Sequence, residues 1–247
     1  MNKINYDKLF CECVEGLSGK PTLLLHSCCA PCSTLCIDRL KKHFDLTIFY
    51  YNPNMNDQHE YIKRKDEQIR YIQHLNSFGD DIKFVELGFC QEDFAQISRG
   101  HEGDKEGGAR CYLCYELRLK KTFEFANAHG FDYFCTTLSV SPYKNAEWLN
   151  KIGFLLQTDK TKWLPTDFKK REGYKISRLM AREQNLYEQN YCGCAFSKTA
   201  SQQNNVDFWK INFCLWKKNA KNVEKMVFIR YTKNENYFTL EKNYGLF

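Results

Sequence analysis

Seven cysteines stand in three tight clusters: Cys28-Cys29-Ala30-Pro31-Cys32, Cys111-x-x-Cys114 and Cys192-Gly193-Cys194. Thiolates at such spacings ligate soft metals or cycle between dithiol and disulfide. The other six of the 13 cysteines are Cys11, Cys13, Cys36, Cys90, Cys135 and Cys214. They sit among apolar neighbours and read as small buried hydrophobes. A double cysteine plus a C-x-x-C supplies four thiolates, enough for a [4Fe–4S] cluster or a tetrahedral zinc site. Adjacent cysteines chelate one zinc ion awkwardly, whereas a cuboidal cluster spreads its ligand positions over several irons. A single glycine between Cys192 and Cys194 allows a strained, easily reduced disulfide, or else two ordinary thiols. His26 lies two residues before Cys28 and reads as a hydrogen-bonding residue at a strand end rather than a ligand.

The elements that must hold these clusters are legible from periodicity. A leading helix is expected over 4–17, then a buried strand over 21–26 that ends just before the double cysteine. A helix is expected over 33–44, a strand over 45–51, a long charged helix over 57–75 and a strand over 82–87. A short helix over 91–98 and a Gly-rich charged loop over 99–109 follow. Cys111 and Cys114 then open a helix that runs to His129, with Gly130 as its stop. Its positive N-terminal end would favour thiolates. Further on come a strand over 131–138, a helix over 145–156, the segment 163–168 and a helix from 173 to 184. Alternating strands and helices predict an α/β domain, Rossmann-like, with a mainly parallel sheet flanked by helices. In such sheets function collects at the carboxyl ends of strands, where the double cysteine and the Thr136–Ser141 segment both fall.

Composition sets the outer limits. The chain has 247 residues, 43% hydrophobic and 27% charged, which suits a folded protein of one or two domains. No apolar run approaches the ~20 residues of a membrane-spanning helix. The N-terminus lacks the apolar stretch of a secretory signal, so a cytoplasmic protein is expected. A formal charge of +6 and 15% aromatic residues permit an RNA partner without requiring one. Arg110, Arg118, Lys144, Lys169, Lys170, Arg171 and Lys175 are candidate phosphate contacts, though for any one of them a solvated surface position is the plainer reading. Residues 198–247 are basic and aromatic and read as a small β-rich C-terminal appendix, more a packing extension than an RNA-binding module. The division expected is therefore a catalytic domain over 1–197 and an extension over 198–247.

Several chemistries are excluded. There is neither a G-x-G-x-x-G nor a G-x-x-x-x-G-K-[ST] phosphate loop, and no Ser-Gly-Gly-x-Asp-Ser adenylation loop follows the first strand. The radical-SAM spacing C-x3-C-x2-C is missing, since Cys32 is followed by Cys36 rather than by a cysteine at position 35. No nucleophile elbow of a serine hydrolase is present.

Six segments occur in a telling order: His26-Ser27-Cys28-Cys29-Ala30-Pro31-Cys32-Ser33, Tyr51-Asn52-Pro53-Asn54, Arg110 to Leu119, Thr136 to Lys144, Leu164 to Lys170, and Gln189-Asn190-Tyr191-Cys192-Gly193-Cys194. Together, over roughly residues 20–197, they resemble the cobalamin-independent epoxyqueuosine reductases, the QueH family. The resemblance implies reduction of the epoxide of epoxyqueuosine at the wobble position of tRNA, with two electrons and two protons giving queuosine and water. It implies a [4Fe–4S] cluster on Cys28, Cys29, Cys111 and Cys114, and a redox-active pair in Cys192 and Cys194. The role of Cys32 is left open. A cluster iron, or an additional metal ion beside it, would polarise the epoxide oxygen, and Asp167 and Tyr143 are the candidate proton donors. The electron donor is unidentified, and no membrane is involved. The rival readings are a zinc-containing thiol oxidoreductase that does not act on RNA and a non-catalytic RNA-binding protein with a structural metal.

Overall fold

The computed structural model describes residues 4–197. The readings of Cys214 and of a β-rich appendix over 198–247 lie outside the described residues. Five strands, β1 (Thr22–His26), β2 (Asp45–Tyr50), β3 (Lys83–Glu86), β4 (Tyr133–Thr136) and β5 (Lys162–Trp163), pair in the order β3-β2-β1-β4-β5. Every pairing is parallel. The sheet expected to be mainly parallel is parallel throughout the described residues. Among the described residues it is flanked by the helices α1 (Tyr6–Glu15), α2 (Ala30–Leu40), α3 (Gln58–Ser77), α4 (Gln91–Ser98), α5 (Ala109–Ala128), α6 (Ala146–Leu156) and α7 (Gly173–Glu183).

The central strands are apolar runs because helices cover them. Leu23, Leu24, Leu25, Ile48, Phe49, Phe134 and Cys135 are all fully buried. The amino ends of β1 and β4 are locked by a reciprocal set of hydrogen bonds. Thr22 donates to Asp132 Oδ2 from its N–H (2.9 Å) and its hydroxyl (2.8 Å), and the Asp132 N–H donates to Thr22 Oγ1 (3.0 Å). Strand order reverses between β1 and β4, so a crevice is expected at their carboxyl ends.

Several boundaries differ from the sequence reading, and three of them have a clear local reason. Helix α2 begins at Ala30 rather than Ser33, with extended Cys29 as its cap residue and Pro31 in its first turn. A first-turn proline gives up no helical hydrogen bond, so the helix starts three residues early and carries Cys32. Strand β4 stops at Thr136, whose Oγ1 accepts from the Leu138 N–H (3.1 Å) and opens a 3-10 turn over Thr137–Val140. Of the segment 163–168 only Trp163 is strand, in the two-residue β5 with Lys162, since Pro165 cannot continue the ladder.

Gly153 of α6 lies against the Trp163 ring, which itself meets Phe134 edge-on at 5.1 Å. A Cβ at Gly153 would fall 2.0 Å from the ring. Overpacking of this kind costs roughly 1–3 kcal/mol. Gly153→Ala is therefore expected to lower the urea-unfolding free energy by about 2 kcal/mol; an unchanged midpoint would show that α6 is free to shift.

Candidate metal and thiol site

Cys28, Cys29 and Cys32 meet where β1 passes into α2. Their sulfurs all lie within 4.8 Å of one another, and no other Cys, His, Asp or Glu of the described residues joins that set. Cys28 Sγ and Cys29 Sγ share a hydrogen bond at 3.8 Å. Hydrogen bonds with Cys29 and Cys32 hold the Cys28 thiol well below the ordinary thiol range, against the effect of burial. The same bond with Cys28 pushes Cys29 up to about 12, and bonds with both partners push Cys32 higher than a free thiol. Within the trio, Cys28 is thus the thiol that ionises most readily.

The countercharge comes from two arginines. Arg118 of α5, one turn beyond Cys114, is 1% exposed. Its Nε donates to His26 Nε2 (3.2 Å) and its Nη2 to Asn52 Oδ1 (2.6 Å), and its guanidinium faces Cys114, Cys28 and Cys192. Burial, with Arg118 alongside, lowers the His26 pKa to about 3, so the ring is neutral. His26 Nε2 also lies 3.1 Å from Tyr51 O, and its Nδ1 shares a hydrogen bond with Thr136 Oγ1 (2.8 Å). His26 is the hydrogen-bonding strand-end residue its position suggested. Asn52 also donates to Ser27 O (3.0 Å), tying the Tyr51–Asn54 turn to the residue before the double cysteine. Arg64 of α3 is the second cation, 1% exposed and beside Cys29 and Cys28.

The Cys192 loop reaches the same place. Lys144 Nζ lies 3.2 Å from Cys192 Sγ with its side chain 8% exposed, and Asn54 Nδ2 lies 4.0 Å from the same sulfur. A hydrogen bond with Cys194 holds the Cys192 thiol well below its usual range, and Lys144 and Arg118 add to this against burial. Cys194 is pushed up by that same bond and lies against Ser197 Oγ at 3.4 Å. Both are free thiols.

The positions of the other expected residues are mixed. Cys114 is buried beside Arg118, and burial pushes its thiol up to about 11. Cys111 Sγ accepts from the Gly107 N–H at 3.3 Å. Neither belongs to the close trio; Cys32 does. Asp167 pairs with Lys169 Nζ at 3.0 Å, and Tyr143 is 72% exposed. The candidate phosphate contacts Arg118 and Lys144 instead turn inward to thiols, and Arg110 is buried, donating to His101 O at 2.6 Å. Arg171 pairs with Asp7 (2.9 Å) and Lys175 with Glu172 (3.1 Å). Arg64 went unread as a site residue because it sits in a charged helix that looks like a solvated face. Arg118 carried a signal: at four residues from Cys114, it shares that cysteine's helix face.

The family model described as Epoxyqueuosine reductase QueH matches residues 23–200. The chain belongs to the QueH family. Epoxyqueuosine reductase QueH of Staphylococcus epidermidis is 37% identical over 217 residues, covering 85% of this chain and 90% of that protein. The Streptococcus pyogenes protein of the same name is 36% identical over 224 residues, 89% of this chain and 85% of its own. The Thermotoga maritima protein is 31% identical over 180 residues, 71% of this chain and 90% of its own. Membership of QueH makes the chain an enzyme of the oxidoreductase class.

The thiols of this QueH chain suit a soft metal or an iron–sulfur cluster. The close trio contains no carboxylate or imidazole, and two guanidinium groups balance its charge. Asn54 Oδ1, Gln68 Nε2 and Thr137 Oγ1, in the segments around the thiols, are buried with no hydrogen-bond partner, as expected of a site that receives a further group.

Lys144→Met removes the cation that touches Cys192. The alkylation profile of Cys192 against pH is expected to move up by about one pH unit or more. Slower labelling at neutral pH, located by mass spectrometry, would follow; an unmoved profile would assign the thiolate to Cys194 and Arg118 alone.

Proposed function

We propose that the protein reduces epoxyqueuosine to queuosine at the wobble position of tRNA, the last step in making that nucleoside. The observation that carries this reading is the convergence of Cys28, Cys114 and Cys192 on Arg118, with Cys29 and Cys32 packed beside Cys28, at the switch point of a QueH sheet. In this reading Cys28, Cys29, Cys111 and Cys114 hold a [4Fe–4S] cluster, and Cys32 is the neighbouring thiol available to an adjacent metal ion. When bound, such a cluster supplies single-electron transfer and a Lewis-acidic iron.

The chain's own residues supply the rest. Arg118 and Arg64 balance the negative charge of the thiolates without offering a proton, since guanidinium does not titrate in the working range. Neutral His26 fixes Arg118 and adds no charge of its own. Cys192 and Cys194 act as the dithiol: forming their disulfide releases two electrons and two protons, which equal what the epoxide needs to become an alkene and water. A dithiol reductant, not yet identified, returns the pair to the reduced state. The leaving oxygen takes its proton from Tyr143 or Asp167. Tyr143 is the open one of the two, and Asp167 is tied to Lys169.

The substrate base sits in an anticodon loop, where unstacked bases are read by stacking and phosphate contacts. Binding should accordingly weaken with salt. No helix among the described residues is long and apolar enough to cross a membrane. A cytoplasmic setting fits an RNA substrate and free thiols.

Iron, zinc and acid-labile sulfide measured in protein purified without oxygen are expected to give about four irons and four sulfides per chain. Cys28→Ser and Cys111→Ser are expected to lose both the cluster and the conversion of epoxyqueuosine-containing tRNA. Cys192→Ser is expected to keep its iron and slow multiple turnover. Zinc without sulfide, even after iron reconstitution, would overturn the cluster and favour the zinc thiol oxidoreductase.

A further inference from the structure

Three consecutive carbonyls of the Cys192 loop are each held by a donor from the segment between β2 and mid-α3. Arg64 Nη2 donates to Tyr191 O (3.3 Å), Arg64 Nη1 to Cys192 O (3.2 Å), and the Asn56 N–H to Gly193 O (3.3 Å). Gly193 has φ +115°, and a Cβ there would stand 3.0 Å from Met55 Cγ and 3.3 Å from Arg64 Nη1. The loop is therefore pressed backbone-first against Arg64. The guanidinium is itself fixed: its Nε donates to Glu60 (2.7 Å), it lies 5.1 Å from the Tyr191 ring centroid, and the Tyr187 hydroxyl holds Glu60 at 3.0 Å. Four residues along α3, Gln68 Oε1 accepts from Ser27 Oγ (2.7 Å), the residue before Cys28. One face of α3 thus grips both thiol segments.

We infer that Arg64 is a positioning residue that holds the Cys192–Gly193–Cys194 loop in its dithiol conformation and so sets how easily the pair's disulfide is reduced. The inference rests on the reading of Cys192 and Cys194 as a redox pair. The Cys192 and Cys194 thiols already share a hydrogen bond; drawing the sulfurs from that contact to the ~2.05 Å of an S–S bond closes a small ring and shifts the torsions of the loop. The carbonyls that Arg64 and Asn56 hold belong to that loop, so the clamp acts against closure. A single lysine ammonium cannot reproduce a planar fork that bridges two successive carbonyls.

The test is equilibration of the full-length, iron-loaded protein, without oxygen, in mixtures of reduced and oxidised glutathione. In this exchange the two thiols lose their protons and form an S–S bond, and oxidised glutathione takes the two electrons and two protons and leaves as two thiols. The disulfide fraction is read by alkylation and mass spectrometry, with iron content and melting temperature measured alongside. Arg64→Met is expected to shift the equilibrium toward the disulfide by about tenfold, equivalent to ~30 mV for a two-electron couple. Arg64→Lys is expected to shift it the same way by a smaller factor, about threefold, and it carries the test alone if Arg64→Met does not fold. An equilibrium constant equal to that of the wild type, with only the melting temperature lowered, would reduce Arg64 to a structural role and overturn the inference. A wild-type protein that forms no Cys192–Cys194 disulfide across the whole range would instead overturn the redox-pair reading on which it rests.

Discussion

The charge of Arg118, buried among sulfurs, is the constraint around which this fold is organised. A guanidinium 1% exposed is costly unless its donors and its charge are both met. Donors are met by His26 and Asn52, at 3.2 and 2.6 Å. Charge is met by Cys28 and Cys192, the two thiols held low, from the β1–α2 junction and the loop after α7, with the Cys114 thiol of α5 alongside. Each partner then needs the next one. His26 can accept from Arg118 only while it is neutral, which burial ensures, and Thr136 and Tyr51 O hold its ring in place. Asn52 can reach Arg118 only while the Tyr51–Asn54 turn is held to Ser27 O. A change of the order of β1 and β4 would take Thr136 from His26 and loosen the whole set.

Much of the architecture was legible because local signals and tertiary packing agree. Leucine runs, the turn at Asn52-Pro53 and the stop at Gly130 mark elements whose ends fall within a few residues of those observed. Harder to read were boundaries decided by a single local hydrogen bond or a first-turn proline. The early start of α2 was readable in principle, from Pro31. The curtailed strand β4 depended on the Thr136 hydroxyl turning back onto the Leu138 N–H, a choice no periodicity records.

The site was legible by element type and only partly by membership. Cysteine spacing brought Cys28 and Cys29 into view, and the family resemblance joined them to Cys111 and Cys114 while leaving Cys32 open; the three sulfurs that pack closest are those of Cys28, Cys29 and Cys32. The reason is the extra helical turn: with Ala30 and Pro31 inside α2, Cys32 stands over the start of the helix beside its two neighbours. The cations were harder. Lys144 and Arg118 look like phosphate contacts because a basic residue in a loop or on a helix is ordinarily solvated. Only the folded chain shows that one touches Cys192 Sγ and the other faces three thiols. Arg64, within the charged run of α3, had no distinguishing mark at all.

These inward cations change what the net charge means for a polyanionic substrate. The formal +6 is not spread evenly: residues 198–247 hold nine Lys and Arg against four Asp and Glu, a balance of +5, which leaves +1 for residues 1–197. Of the cations in residues 1–197, Arg64, Arg118 and Lys144 face thiols or loop carbonyls and contribute little field to the surface. Net charge is therefore a poor guide to where RNA phosphates would meet residues 1–197, and local patches decide it. The same three cations are what the thiol chemistry requires, since they lie where negative charge collects on Cys28 and Cys192. Positive charge in this chain is thus divided: it is buried and fixed beside thiols in residues 4–197, and it is in excess, by composition, in the last 50 residues.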